Sequence, residues 1–268
     1  MEPHAPARKL DRDSRYWHRP TKRLQRDGCW PNKYIHPTRR HSTVILKEEC
    51  RANCVEPAAL PHYQRAGMNK PLFADFLGTF FFCTIALLSS NPLAAAVALA
   101  ALVYALGYLS GGHFNPAVSM AVWVRGQLDK EEMLKYCAAQ AAGGVAAYVC
   151  YVVLVENAGE TVKLQVPWFR AFLGETLFTF LVAFIFLHVR TARQQMGNSF
   201  SGTAIGMAHF AGASALGRLS VGACNPALGL AFVLAGKVPS WMLIIYLSAG
   251  LIAGGGAAIT YRLLNPND

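Results

Sequence analysis

From Pro71 onward the chain alternates long apolar runs with short polar breaks. The runs are Leu72–Ser90, Leu93–Leu109, Met133–Val155, Trp168–Val189, Phe200–Leu216 and Trp241–Leu263. Each is close to the roughly 20 residues that an α-helix needs to cross about 30 Å of hydrocarbon. A transmembrane β-barrel would instead show alternating segments of about ten residues, and the sequence has none. The pattern predicts six spanning helices, the first two joined by a tight turn around Ser89, Ser90, Asn91 and Pro92.

Two further apolar runs are too short to span. Asn115–Val124 and Asn225–Ala235 hold ten and eleven residues, about 15 Å of helix or half a bilayer. Each follows a link rich in small residues and begins Asn-Pro-Ala: Asn115, Pro116, Ala117 and Asn225, Pro226, Ala227. Each ends at a glycine beside a base, Arg125-Gly126 and Gly236-Lys237. Asn suits an N-cap, Pro the first helical position, Gly the end, and a cation the C-terminal end of the helix dipole. These are half-helices with built-in starts and stops.

Three spans with Asn-Pro-Ala between the second and third are followed by three more with Asn-Pro-Ala in the same place. An odd number of spans per repeat forces the second copy to sit inverted in the membrane. The predicted fold is therefore an all-α membrane protein: six transmembrane helices plus two re-entrant half-helices in an inverted repeat. The body is residues 70–268, with repeats at about 70–156 and 168–263, preceded by a tail over 1–69.

Charge sharpens this picture. Only 15% of the chain is charged, against about 25% for soluble domains. Residues 1–70 carry 15 Lys and Arg against 7 Asp and Glu. That segment mixes Arg, Lys, His and Pro without period and reads as disordered. It is either a solvated topology signal or a surface for anionic lipid. Its basic excess puts both termini in the cytoplasm, and Arg125, Lys130, Arg190, Arg193 and Arg262 then fall on the same side. Cys50 and Cys54, with His41 and His62 nearby, lack a second cysteine pair. No metal site, cofactor, catalytic residue or nucleic-acid partner is expected. No nucleophile–base pair converges to make an enzyme.

Inversion brings the two half-helices in from opposite faces, so their N-termini meet near the midplane. Non-helical backbone at that depth must be buried or line a water-filled path. Two N-termini supply about half a positive charge each. With the oxygens of Asn115 and Asn225 capping their helices, the amide NH₂ groups are free to donate to a neutral solute, while a cation meets a positive field.

This paired arrangement resembles the aquaporin, or major intrinsic protein, family. The match covers about residues 70–262 and extends to Ser110-Gly111-Gly112-His113, to Gln140 and to Ala204-Ile205-Gly206. The resemblance implies a passive channel for water, glycerol or other small neutral solutes in a lipid bilayer, excluding protons and cations through its half-helix dipoles. It also implies a homotetramer. His113 and Cys224, beside the two motifs, are expected to border the pore. Asp75 and Glu175 fall inside the membrane, where a carboxylate is functional by default. A proton relay is one candidate, and the resemblance implies instead structural acceptors for the re-entrant links.

The family's aromatic/arginine constriction maps by ungapped counting onto Ala95, Ala213, Ala223 and Leu228. Leu stands where orthodox members carry Arg, which resembles the unorthodox branch, and Gly229 stands where glycerol channels carry Asp. Gly206 keeps the family spacing that favours Ala213 over His209 as the fifth-span position. His209 then reads as a packed residue. A competing reading is a non-conducting membrane scaffold whose tail recruits partners.

Overall fold

The computed structural model describes residues 69–89, 91–155 and 167–268. The expectations for the basic tail, and for Cys50, Cys54, His41 and His62, lie outside the described residues. Among the described residues every regular element is helical. In chain order these are α1 (Lys70–Leu88), α2 (Pro92–Ser110), α3 (Pro116–Arg125), α4 (Lys130–Leu154), α5 (Trp168–Phe186), α6 (Ser201–Leu216), α7 (Pro226–Leu234) and α8 (Met242–Leu264). A π-turn over Leu187–Thr191 extends α5, and five of these segments are long and apolar enough to cross a membrane. The sixth expected span, α6, has 16 residues, about 24 Å of helix.

The boundaries have local causes. Asn91 caps α2, its side chain accepting from Leu93 N at 2.9 Å, with Pro92 at the first position. Asn115 and Asn225 do the same for the half-helices α3 and α7, which run only ten and nine residues. Gly126 ends α3 at φ 88°, and Gly236 follows α7 at φ 68°. Both values are left-handed backbone that glycine enters without steric cost.

α1 packs on α2 and α4, α5 on α6 and α8, and α2 on α6. Each half-helix is gripped by a span of the opposite half: α4 lies on α7 and α8 on α3. The grip depends on two glycines. A Cβ at Gly144 would stand 2.7 Å from the Ala227 carbonyl oxygen, and one at Gly254 would collide with the Ala117 carbonyl. Helices that lack a hydrophobic drive between them in lipid use such small residues to bring backbones close. Tyr108, Val153 and Leu173 project outward as exposed apolar side chains, the surface a bilayer solvates.

At the face where α1 begins and α8 ends, here the near face, Arg125 closes α3. Its guanidinium donates to Thr191 O at 2.9 Å and Tyr261 Oη at 3.0 Å, and pairs with Asp268 at 2.8 Å. Both side chains of that pair are almost fully enclosed. One charge cluster thus ties the end of a half-helix to the ends of α5 and α8.

Candidate functional site

The two half-helix N-termini carry their own donors and acceptors. Asn115 Oδ1 accepts from Ala117 N at 2.9 Å, and Asn225 Oδ1 accepts from Ala227 N at 2.9 Å and Leu228 N at 3.4 Å. Each amide nitrogen reaches across to the opposite link. Asn115 Nδ2 donates to Cys224 O at 3.0 Å, and Asn225 Nδ2 donates to Phe114 O at 2.8 Å. Each of the two motifs is therefore hydrogen-bonded to the link that leads into the other. A carboxamide nitrogen has two N–H groups, so one remains on each side chain after the crossing bond.

The links leading into these ends are held open from behind by the two carboxylates. Asp75 accepts from Ser110 Oγ at 2.9 Å, Phe114 N at 3.3 Å and Gln140 Nε2. Glu175 accepts from Ser220 Oγ, Ala223 N at 3.0 Å and Cys224 N at 2.8 Å. Tyr136 Oη and Tyr246 Oη then donate to the carbonyls of Ser110 and Ser220, at 3.0 and 2.6 Å. The links are strained: Phe114, Cys224 and Val221 are non-glycine residues at φ 48°, 47° and 62°. Such conformations cost about 1–3 kcal/mol each and persist only where the surroundings over-determine them. The carboxylate-centred bonds supply that constraint.

His113 lies behind the first link. Its Nδ1 shares a hydrogen bond with Ser119 Oγ at 3.1 Å, and its ring packs against Tyr136 and Phe186 at 4.9 and 5.3 Å. Gln140 Nε2 joins the same group by donating to Ser119 Oγ at 2.9 Å.

On the far face a cavity of about 510 Å³ opens beside the second link. Its rim includes Ser89, Asn91 and Lys237, and its wall includes Ala95, Ala213, Leu228 and Phe232. Three of the four residues counted back as a constriction thus share one space. The fourth does not. Ala223 is fully buried, its N–H committed to Glu175, and the link borders the cavity through Val221 and Gly222 instead. Cys224 departs from expectation in the same way. Its sulfur is fully buried against Gly212 of α6, where a Cβ would stand 2.6 Å away. The reason is the backbone: with φ at 62° and 68° at Val221 and Gly222, the link doubles back and turns the next two residues away from the cavity. His209, expected to be a packed residue, is 2% exposed and packs edge-on against Phe82, and it also borders the cavity.

The sequence profile of the family described as Major intrinsic protein matches residues 62–261. The chain is a member of the major intrinsic protein family. Among curated relatives, it is 31% identical over 222 residues to the glycerol uptake facilitator protein-like 6 of Lactiplantibacillus plantarum, covering 75% of this chain and 100% of that one. It is 29% identical over 218 residues to Nodulin-26 of Glycine max, covering 74% and 79% respectively. Among solved structures, the aquaglyceroporin from Plasmodium falciparum superposes with a TM-score of 0.63 at 18% identity, over 74% of this chain and 97% of that one. That likeness is of fold. As a major intrinsic protein, the chain is an integral membrane channel for small solutes with an aquaporin-like all-α fold.

Several members of this machinery, among them Tyr246, Gly144 and Gly254, lie outside the motifs read from the sequence, although a signal for them exists. Ser110 and Ser220 stand 110 residues apart, as do Tyr136 and Tyr246, Gly144 and Gly254, and the two motif asparagines. Carrying that one offset through the whole chain finds each of them. Leu228 has no such counterpart to a cation: the position one repeat earlier is Val118, and both are buried and apolar.

Proposed function

We propose that this major intrinsic protein passes small neutral solutes, favours small polyols over water, and turns back protons and cations where its half-helix ends meet. The observation that carries the reading is the pair of asparagines, each capping its own helix with its oxygen and bonded across to the other link. Their remaining N–H groups accept no cation. The helix ends add about half a positive charge each.

Preference among neutral solutes follows from the far-face cavity. Ala95, Ala213, Gly222 and Leu228 offer no side-chain hydrogen bond to a water that has left its neighbours. An unpaired polar group costs about 1–3 kcal/mol on protein scales, which is tenfold or more in rate. A solute with a carbon face loses less there. In this reading both termini are cytoplasmic, on the strength of the basic excess before residue 70.

Purified protein in liposomes tests the reading by stopped-flow light scattering with water, glycerol and urea gradients, beside a pH-dye assay for proton leak. Solute flux above the lipid-only rate with no proton leak is expected. Lipid-only rates for every solute would instead support a non-conducting scaffold. Asn225→Asp places an anion beside the positive helix ends, and a folded variant is expected to leak cations; continued exclusion would remove the paired asparagines from the filter.

A further inference from the structure

His209 sits on α6 one turn before Ala213, about 6 Å closer to the middle of the membrane along the helix. It is 98% enclosed by protein, at 2% exposure, and lies on the wall of the far-face cavity. Its ring meets the edge of Phe82 at 5.0 Å. The other two described histidines have bound partners: His113 Nδ1 with Ser119 Oγ, and His188 Nδ1 with Phe184 O at 2.9 Å. Among the described residues neither nitrogen of His209 has a hydrogen-bond partner, and neither is among the sealed polar atoms that lack one. Leaving a polar group unpaired in an apolar site is costly, and the cavity is the direction from which a partner can come.

The other side chains of that wall are apolar, Ala95, Ala213, Leu228 and Phe232, with the polar side chains Ser89, Asn91 and Lys237 at the rim. A neutral imidazole offers one donor and one acceptor. One edge able both to give and to take a hydrogen bond, facing an aliphatic wall, complements a solute with hydroxyls on one side and carbon on the other. We propose that His209 is the specificity-determining residue of this channel, a hydrogen-bonding station for small polyols that stands in for the donors absent at Leu228. The proposal rests on the channel reading above and assigns its selectivity to one side chain.

The experiment compares wild type, His209→Leu and His209→Gln in liposomes, each normalised to folded protein by size-exclusion chromatography. Leucine keeps bulk without polar atoms, and glutamine keeps both a donor and an acceptor. The glycerol-to-water permeability ratio is expected to fall about tenfold in His209→Leu, the loss of one hydrogen bond to a buried group, and to return most of the way in His209→Gln. Unchanged ratios in a conducting leucine variant overturn the proposal and leave the channel reading intact. Lipid-only flux in wild type overturns both.

Diethyl pyrocarbonate gives a second measurement on unmutated protein, independent of whether the leucine variant folds. Carbethoxylation of an open ring nitrogen at His209 should block glycerol flux, with excess glycerol protecting and hydroxylamine restoring it. His209→Gln should be insensitive. Full flux in carbethoxylated wild type, or equal block in His209→Gln, assigns the station elsewhere.

Discussion

Leu228 occupies the position after the second Asn-Pro-Ala, and it is 1% exposed beside the far-face cavity. An arginine there brings five N–H donors and a fixed charge to a wall whose one polar side chain inside the rim is His209. Leu228→Arg is expected to raise the water-to-glycerol permeability ratio about tenfold, read by stopped-flow on protein first checked for correct insertion. The same ratio in a folded variant removes Leu228 from the selectivity assignment. Cys224 shows why neighbouring residues need separate treatment. It directly precedes a pore motif in sequence, yet its sulfur packs on Gly212, away from the cavity.

The re-entrant links are the weakest elements by local preference, because three of their non-glycine residues hold positive φ. Their stability is borrowed from carboxylates on α1 and α5. Glu175 satisfies one hydroxyl and two backbone N–H groups of the second link. Glu175→Leu would leave all three without a partner, at about 1–3 kcal/mol for each orphaned group. The second link is expected to collapse, with a marked drop in melting temperature in detergent and loss of flux. Glu175→Gln keeps one acceptor oxygen and should fall between the two. A leucine variant that melts like wild type would show that the link holds its shape without this anchor. The half-helix that follows the link depends on contact rather than charge: Gly144 lets α4 reach the Ala227 carbonyl, and no larger residue fits without separating the two halves.

Across the molecule, the near face is fastened by Asp268. Its carboxylate accepts from Tyr261 Oη and from the Arg193 backbone, and pairs with Arg125. The Tyr261 hydrogen bond, followed by the Arg193 amide and the two arginine charges, holds its carboxyl below the ordinary carboxylate range. A carboxyl depressed in the folded state contributes stability that is present above its unfolded value, near 3.9. That contribution is lost as pH falls through the folded value. Asp268→Asn is therefore expected to lower the melting temperature at neutral pH, and the gap to wild type should close as the pH drops below about 3.9. A gap that stays constant with pH would show that the side chain acts by packing alone. Deleting residues 1–60 tests the other end of the chain. Every described helix begins at or after Lys70, so flux per inserted molecule should match the full-length protein. Loss of flux would assign the tail a part in gating.

The six apolar runs and the two half-helices were legible in the sequence to within a few residues. Both signals are local, since bilayer thickness fixes the length of a span and Asn-Pro starts a helix wherever it stands. The 110-residue offset also carried the topology, because an odd number of spans admits only inversion. What a linear count could not reach was direction. Ala223 and Gly222 are adjacent, and only the positive φ angles at Val221 and Gly222 decide which of them borders the cavity. His209 and Ala213 lie one turn apart on one helix, and the packing of α6 against α2 and α5 turns both toward the same space. The Arg125–Asp268 pair joins residues 143 positions apart, which no local pattern marks. These features depend on how segments distant in the chain close against one another, and that closure is settled by packed glycines and buried hydrogen bonds, not by hydrophobic period.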